Sequence, residues 1–285
     1  MRPLANANGG GYLNAFFGWL LVLGACIEIT QAVMAGHRAG LFYHSLAAIL
    51  CGTAALLILA TLRPNIKAVL GLVFLAVAMA LSIFVPARTF DYWQGWTYLA
   101  IFLAALSLTT IYLMKNDPAL LQRRLRSGLM AEHSGVQRII WLFTSIGFIA
   151  LLVVPALDHR FGWSNVPRYA VIVGNVLVAA GNYVIFLVFK ENTFAAATIQ
   201  IESGQRVIST GPYGIVRHPM YAGALIMLLG TPLALGSYWG LLAFAATMPF
   251  LIWRLFDEES YLAGNLPGYA GYQQRVRWRL IPGVL

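Results

Sequence analysis

The sequence predicts an all-α, polytopic transmembrane helix bundle of about eight spans, and three observations carry that prediction. Of 285 residues, 60% are hydrophobic and only 10% charged, whereas soluble domains are roughly 25% charged, so the chain belongs in a bilayer. Apolar stretches long enough to cross a hydrocarbon core of about 30 Å recur along its whole length. The Lys and Arg between those stretches alternate in the way one topology requires.

The spans fall at residues 16–34, 42–62, 68–85, 96–114, 139–157, 169–189, 221–235 and 238–256. Gly236 and Ser237 join the last two by a tight turn, so these form an antiparallel hairpin whose tip barely leaves the membrane. Eight spans put both termini on one side. Fifteen of the 19 Lys and Arg then lie inside, leaving Arg38, Arg88, Arg160 and Arg168 outside. The positive-inside rule therefore expects both termini in the cytoplasm and the protein in the inner (plasma) membrane. The first apolar stretch is too long for a signal-peptide core and reads as a retained span.

The net charge of +9 is spread among apolar blocks with no long basic run, which argues for membrane orientation and against nucleic acid. Cys26 and Cys51 sit inside apolar stretches, and His37, His44, His133 and His159 have no ligand spacing, so no metal is expected. Glu28 lies mid-span, where a lone charge costs about 2.5 to 3.5 kcal/mol on insertion scales. It should face the bundle interior, in an interhelical hydrogen bond or lining a substrate cavity, or else be protonated.

The longest polar interval, 115–138, separates an N-terminal four-span module (1–130) from a C-terminal four-span core (131–285). Within it, Asp117-Pro118 signals a helix start and Gln122 to Arg126 is basic, so a short helix on the anionic inner leaflet is expected.

Chemistry concentrates between the sixth and seventh spans. Gly211, Pro212 and Gly214 shape turns, Pro219 fits the first position of a helix, and it biases His218 away from the α region. The first backbone N–H groups of that helix, from Met220, Tyr221 and Ala222, should favour an anion, with Arg217 adding full charge. Gly223 admits a ligand or another helix close to the backbone, and Tyr213 and Tyr221 offer rings to a planar base or a sulfonium cation. A second constellation follows the eighth span: Arg254, then Asp257, Glu258 and Glu259, then Tyr269, Tyr272, Arg275, Arg277 and Arg279. Three acids at a helix end oppose the macrodipole and need partners. Neighbours on a helix point about 100° apart, so one of Glu258 and Glu259 grips a ligand while the other meets Arg254 or water.

The string GPYGIVRHPMYAG at 211–223, a helical hairpin, the Glu258-Glu259 pair and the YxxYxxRV segment at 269–276 together resemble the isoprenylcysteine carboxyl methyltransferase and phospholipid methyltransferase superfamily of membrane enzymes. The resemblance covers roughly residues 169–285. It implies a cofactor, S-adenosyl-L-methionine, held without a Rossmann sheet by this loop and the last helices, with Arg217, His218, Pro219 and Tyr221 bordering it and Glu258 and Glu259 as the acid pair tied to its binding. The family often carries acids beside the terminal tyrosines, where this chain has Gly268 and Gly271.

Methyl transfer from a sulfonium needs an in-line nucleophile and exclusion of water, so positioning supplies about 7 to 11 kcal/mol of the barrier reduction. A carboxylate acceptor is already ionised and needs only an orienting cation, for which Arg275 is the candidate. An amine acceptor needs a base, from Glu259, Glu258 or His218. After Glu259 the chain has three arginines and no acid, which favours an anionic head group. The expected partners are membrane lipids and a lipophilic small-molecule substrate. The alternatives are an NADPH-dependent membrane reductase of the sterol type, which needs more cationic groups for a nucleotide phosphate, and a non-catalytic transport or scaffold protein.

Overall fold

The computed structural model describes residues 64–125, 135–195, 201 and 204–284. The first two predicted spans, with Glu28, Cys26 and Cys51, lie outside the described residues. All regular structure among the described residues is helical: α1 Pro64–Ala87, α2 Trp93–Asn116, α3 Pro118–Leu125, α4 Gly135–Phe161, α5 Arg168–Glu191, a single 3-10 turn at Gly211–Gly214, α6 Pro219–Ala234, α7 Gly240–Asn265 and α8 Tyr269–Arg275. Six of the eight predicted spans are therefore seen, as α1, α2, α4, α5, α6 and α7. Five of these are long and apolar enough to cross a membrane, and α6, at 16 residues, is shorter. Exposed Val69, Val73, Val77, Leu81 and Val85 line one face of α1, the apolar exterior that a bilayer requires.

Among the described residues, helices before and after residue 130 share buried contacts. Met79, Ile83 and Phe84 of α1 share a buried cluster with Tyr98, Leu99 and Phe102 of α2, Leu152 and Ala156 of α4, Val178 of α5 and Ala234 of α6. At one end of the bundle Asp158 accepts hydrogen bonds from the Ser164 backbone N–H and from the hydroxyls of Ser164 and Ser237, while the Tyr92 hydroxyl donates to the Leu235 carbonyl. These bonds pin the α6–α7 turn, where Gly236 takes a positive φ of 72° as the tight turn demands. The other, basic end gathers the C-termini of α2, α5 and α7 with the starts of α4 and α6.

Two positions depart from expectation. Helix α7 runs nine residues past the predicted span, to Asn265, so Glu258 and Glu259 stand inside the helix. The macrodipole penalty expected for them does not apply, because it fades beyond the last turn. Helix α3 forms as expected, with Asp117 Oδ1 accepting the Leu120 N–H at its start. It is folded into the bundle, however: Leu120 and Leu121 are buried against Leu113, Val188, Phe189 and Ala195.

The closest packing is between α5 and α6. A Cβ on Gly181 would lie 2.5 Å from the Gly223 carbonyl oxygen, and one on Gly230 would lie 2.6 Å from that of Gly174. Small residues at such seams replace the hydrophobic force that a bilayer cannot supply between helices. Gly181→Ala is expected to lower the melting temperature in detergent, since overpacking costs typically about 1–3 kcal/mol. Gly71→Ala, where a Cβ meets nothing within 4 Å, leaves it unchanged or raises it.

Candidate active site

The 211–219 loop is built by its own sequence. Gly211 adopts φ +57°, the 3-10 turn follows, and His218 at φ −123° sits in the extended range that Pro219 imposes before α6 begins. This loop does not stand alone. The Arg217 and His218 backbone N–H groups donate to the carbonyls of Trp278 and Arg279 at 2.8 and 2.9 Å, so the chain after α8 lies alongside it. Glu259 locks the junction from α7. Its carboxylate meets Arg217 at 2.9 Å and Arg279 at 2.6 Å, and accepts from Gln273 Nε2 at 3.1 Å. The Arg217 and Glu259 side chains are each only 7% exposed. Arg217 also donates to the Gln273 and Val276 carbonyls.

Above this junction, at the basic end of the bundle, opens a cavity of about 360 Å3, within the usual range for small-molecule sites. Its walls come from α3, α4, the segment after α5, the loop, α6, α7 and α8. Of the residues expected at a site, Tyr213, Arg217, His218, Pro219, Tyr221 and Glu258 border it. Gly223, Glu259 and Arg275 do not. Gly223 is spent on the α5 contact, Glu259 on the two arginines, and Arg275 is exposed at the end of α8. The two acids thus divide as helix geometry requires. Glu258 faces the cavity and accepts a hydrogen bond from the Tyr221 hydroxyl at 2.6 Å, while Glu259 turns to the C-terminal segment. Arg254 borders the cavity and donates to Gln137 Oε1 at 3.1 Å, which sequence alone did not signal. Of the three helix-start N–H groups, that of Ala222 is taken by the His218 carbonyl.

Several cavity residues escaped the sequence reading. Trp141 and Thr144 of α4, Asn192 after α5 and Arg124 of α3 all border it, and only Arg124 lay in a segment singled out beforehand. The terminal tyrosines Tyr269 and Tyr272 are buried walls of the cavity. Tyr272 donates to the Tyr213 carbonyl at 2.8 Å. Burial pushes the Tyr213 hydroxyl up to about 12, and it accepts from Asn192 Nδ2 at 2.8 Å. Among the described residues the buried atoms His218 Nε2 and Tyr269 Oη have no hydrogen-bond partner, and both residues face this cavity. Buried polar groups are rarely left so. Burial holds the His218 imidazole below its usual range, against the opposing pull of Glu258 and Glu259, so it is neutral at pH 7.

Comparison with known proteins agrees with this architecture. The phospholipid methyltransferase family profile matches residues 169–266, from α5 through α7. Protein-S-isoprenylcysteine O-methyltransferase B of Arabidopsis thaliana is 29% identical over 163 residues, covering 53% of this chain and 75% of the relative. The A form from the same plant is 27% identical over 159 residues, with the same coverage. The Schizosaccharomyces pombe protein-S-isoprenylcysteine O-methyltransferase is 35% identical over 72 residues, covering 25% of this chain and 30% of the relative. The chain is an integral membrane methyltransferase. Over residues 169–266 it is similar to the phospholipid methyltransferase family, and over 53% of its length to the two plant protein-S-isoprenylcysteine O-methyltransferases.

Two outcomes follow from the geometry. Glu259→Ala leaves Arg217 buried and unpaired, and breaking one side of a buried ion pair typically costs about 3–5 kcal/mol. The variant is expected to melt earlier in detergent and to be cut faster by trypsin at Arg275 and Arg277. For His218, the unfolded chain takes up a proton near pH 6.5 that the folded chain refuses until a lower pH. Stability therefore falls as pH drops below about 6.5. His218→Gln is expected to flatten that decline, read as the difference in melting temperature between about pH 7 and about pH 5.5.

Proposed function

We propose that the protein transfers a methyl group from S-adenosyl-L-methionine to the carboxylate of an isoprenoid-type or other lipid-like acceptor at the inner face of the membrane. Residues 131–285 form the catalytic core, and both termini are cytoplasmic. One observation carries this reading. His218 and Tyr269, whose buried Nε2 and Oη atoms have no hydrogen-bond partner among the described residues, and Glu258 all border one cavity, bounded by the 211–219 loop and the last helices. Such atoms are what a polar cofactor satisfies, and the names of the relatives supply the acceptor class.

Bound there, the cofactor supplies a methyl group on a positively charged sulfur. Tyr213, Arg217, His218, Pro219, Tyr221 and Glu258 line its pocket. Gly223 and Glu259 act at one remove, by holding α6 on α5 and the C-terminal segment on the loop. Neutral His218 offers a hydrogen bond without adding charge beside a cation. A carboxylate acceptor would already be ionised, so these residues would need to supply no general base. The chain's task is to orient and to exclude water. Arg275 stands exposed, and orientation therefore falls to cations in the walls. Arg124, Arg206 and Arg254 border the cavity with Glu258 as the acid among them, while Arg217 is balanced by Glu259. That surplus suits an anionic head group better than an amine.

Membranes containing the protein, given methyl-labelled donor and a farnesylated cysteine acceptor, are expected to form base-labile methyl ester. Glu258→Ala and His218→Ala should each reduce it at least tenfold. Label appearing in base-stable phospholipid amine instead overturns the carboxylate assignment, and no label in either product overturns methyl transfer by this cavity.

A further inference from the structure

On α4, Gln137, Trp141 and Thr144 are spaced at i, i+4 and i+7 and so share one face. Trp141 and Thr144 border the cavity, and Gln137 lies one turn closer to the basic end, only 3% exposed, in the segment before the family-matched residues 169–266. Both ends of its amide are engaged on α7. Nε2 donates to the Asp257 carboxylate, and Oε1 accepts from the Arg254 guanidinium at 3.1 Å. Arg254 in turn borders the cavity and meets the hydroxyl of Tyr221, which itself donates to Glu258 at 2.6 Å. A chain of polar contacts thus runs from a buried position on α4 to the cavity wall.

The amide is not what holds α4 against α7. A Cβ on Gly147 would lie 2.3 Å from Thr247 Oγ1, so the two helices already touch there, and the Phe143 and Phe250 rings stack with centroids 4.6 Å apart. Interhelical hydrogen bonds add only modestly to such an interface. What the amide supplies is direction. A long arginine side chain loses rotamer freedom whenever it must be aimed at a ligand. An acceptor that is itself fixed by Asp257 holds the guanidinium before any ligand arrives, and a donor aimed in advance costs no reorganisation at the moment of reaction.

We propose that Gln137 is a positioning residue that aims Arg254 at the carboxylate of the acceptor, so that α4 takes part in the site from outside the family-matched stretch. The proposal rests on the methyl-transfer reading above, in which cations in the cavity walls orient that carboxylate. Gln137 stands behind the wall and acts only through Arg254.

The test uses the full chain purified in detergent, with Gln137→Met, Arg254→Gln and the double variant. Methionine keeps the length and bulk of glutamine and removes both the donor and the acceptor. The methyl-transfer assay gives KM for a farnesylated cysteine, and calorimetry gives binding of S-adenosylhomocysteine. Phenylglyoxal labelling of Arg254, read by mass spectrometry, follows the guanidinium with no ligand present. Gln137→Met is expected to raise KM about tenfold, the scale of losing a hydrogen bond to a charged group. Binding of S-adenosylhomocysteine should stay within twofold, and Arg254 should label several times faster. In the Arg254→Gln background the same change leaves KM where it was, because its target is gone. Losses that multiply in the double variant overturn the proposal, as do an unchanged KM, unchanged labelling or an equal loss of S-adenosylhomocysteine binding in folded Gln137→Met. Gln137→Asn, too short to bridge both partners, is held to the same outcomes if Gln137→Met does not fold. A wild type that forms no methyl ester sinks the methyl-transfer reading and the acceptor with it, and the labelling then decides alone whether Gln137 holds Arg254.

Discussion

The junction of Glu259 with Arg217 and Arg279 is the constraint on which the rest of the basic end depends. One carboxylate, on the long α7, meets one arginine from the loop before α6 and another from the chain after α8. Backbone hydrogen bonds from Arg217 and His218 to Trp278 and Arg279 make the same junction a second time. Three stretches far apart in sequence are thereby held as one wall. Only with that wall in place do Tyr269 and Tyr272 come to face the cavity that His218 borders.

The pairing also assigns the two adjacent acids. A helix presents consecutive side chains about 100° apart, so an acid pair on α7 is a device with two faces. Glu259 is consumed in building, and Glu258 with Tyr221 remains at the cavity. The burial that makes the junction costly to break also keeps His218 neutral, so a single patch of packing sets both the shape and the charge of the site.

The fold was largely legible in the sequence because membrane insertion writes it in blocks of apolar residues and in the sidedness of Lys and Arg. All six spans within the described residues fall where hydropathy put them, and Pro219 marked the start of α6. The end of α7 was not legible, since hydropathy follows the lipid and the helix continues beyond it to Asn265. The loop and Glu258 were readable from a local string. Arg124, Trp141, Thr144 and Asn192 were not, because they reach the cavity through packing between distant helices rather than through any spacing. Arg275 drew notice by charge and position, but the turn of α8 exposes it and gives Glu259 to Arg279.

The glycine seam between α5 and α6 has a bearing on traffic through the bilayer. At two levels about two helical turns apart, Gly174 against Gly230 and Gly181 against Gly223, main chain rests on main chain. No hydrocarbon tail fits through such a joint. Between these two helices the described residues therefore offer main chain in contact rather than a cleft.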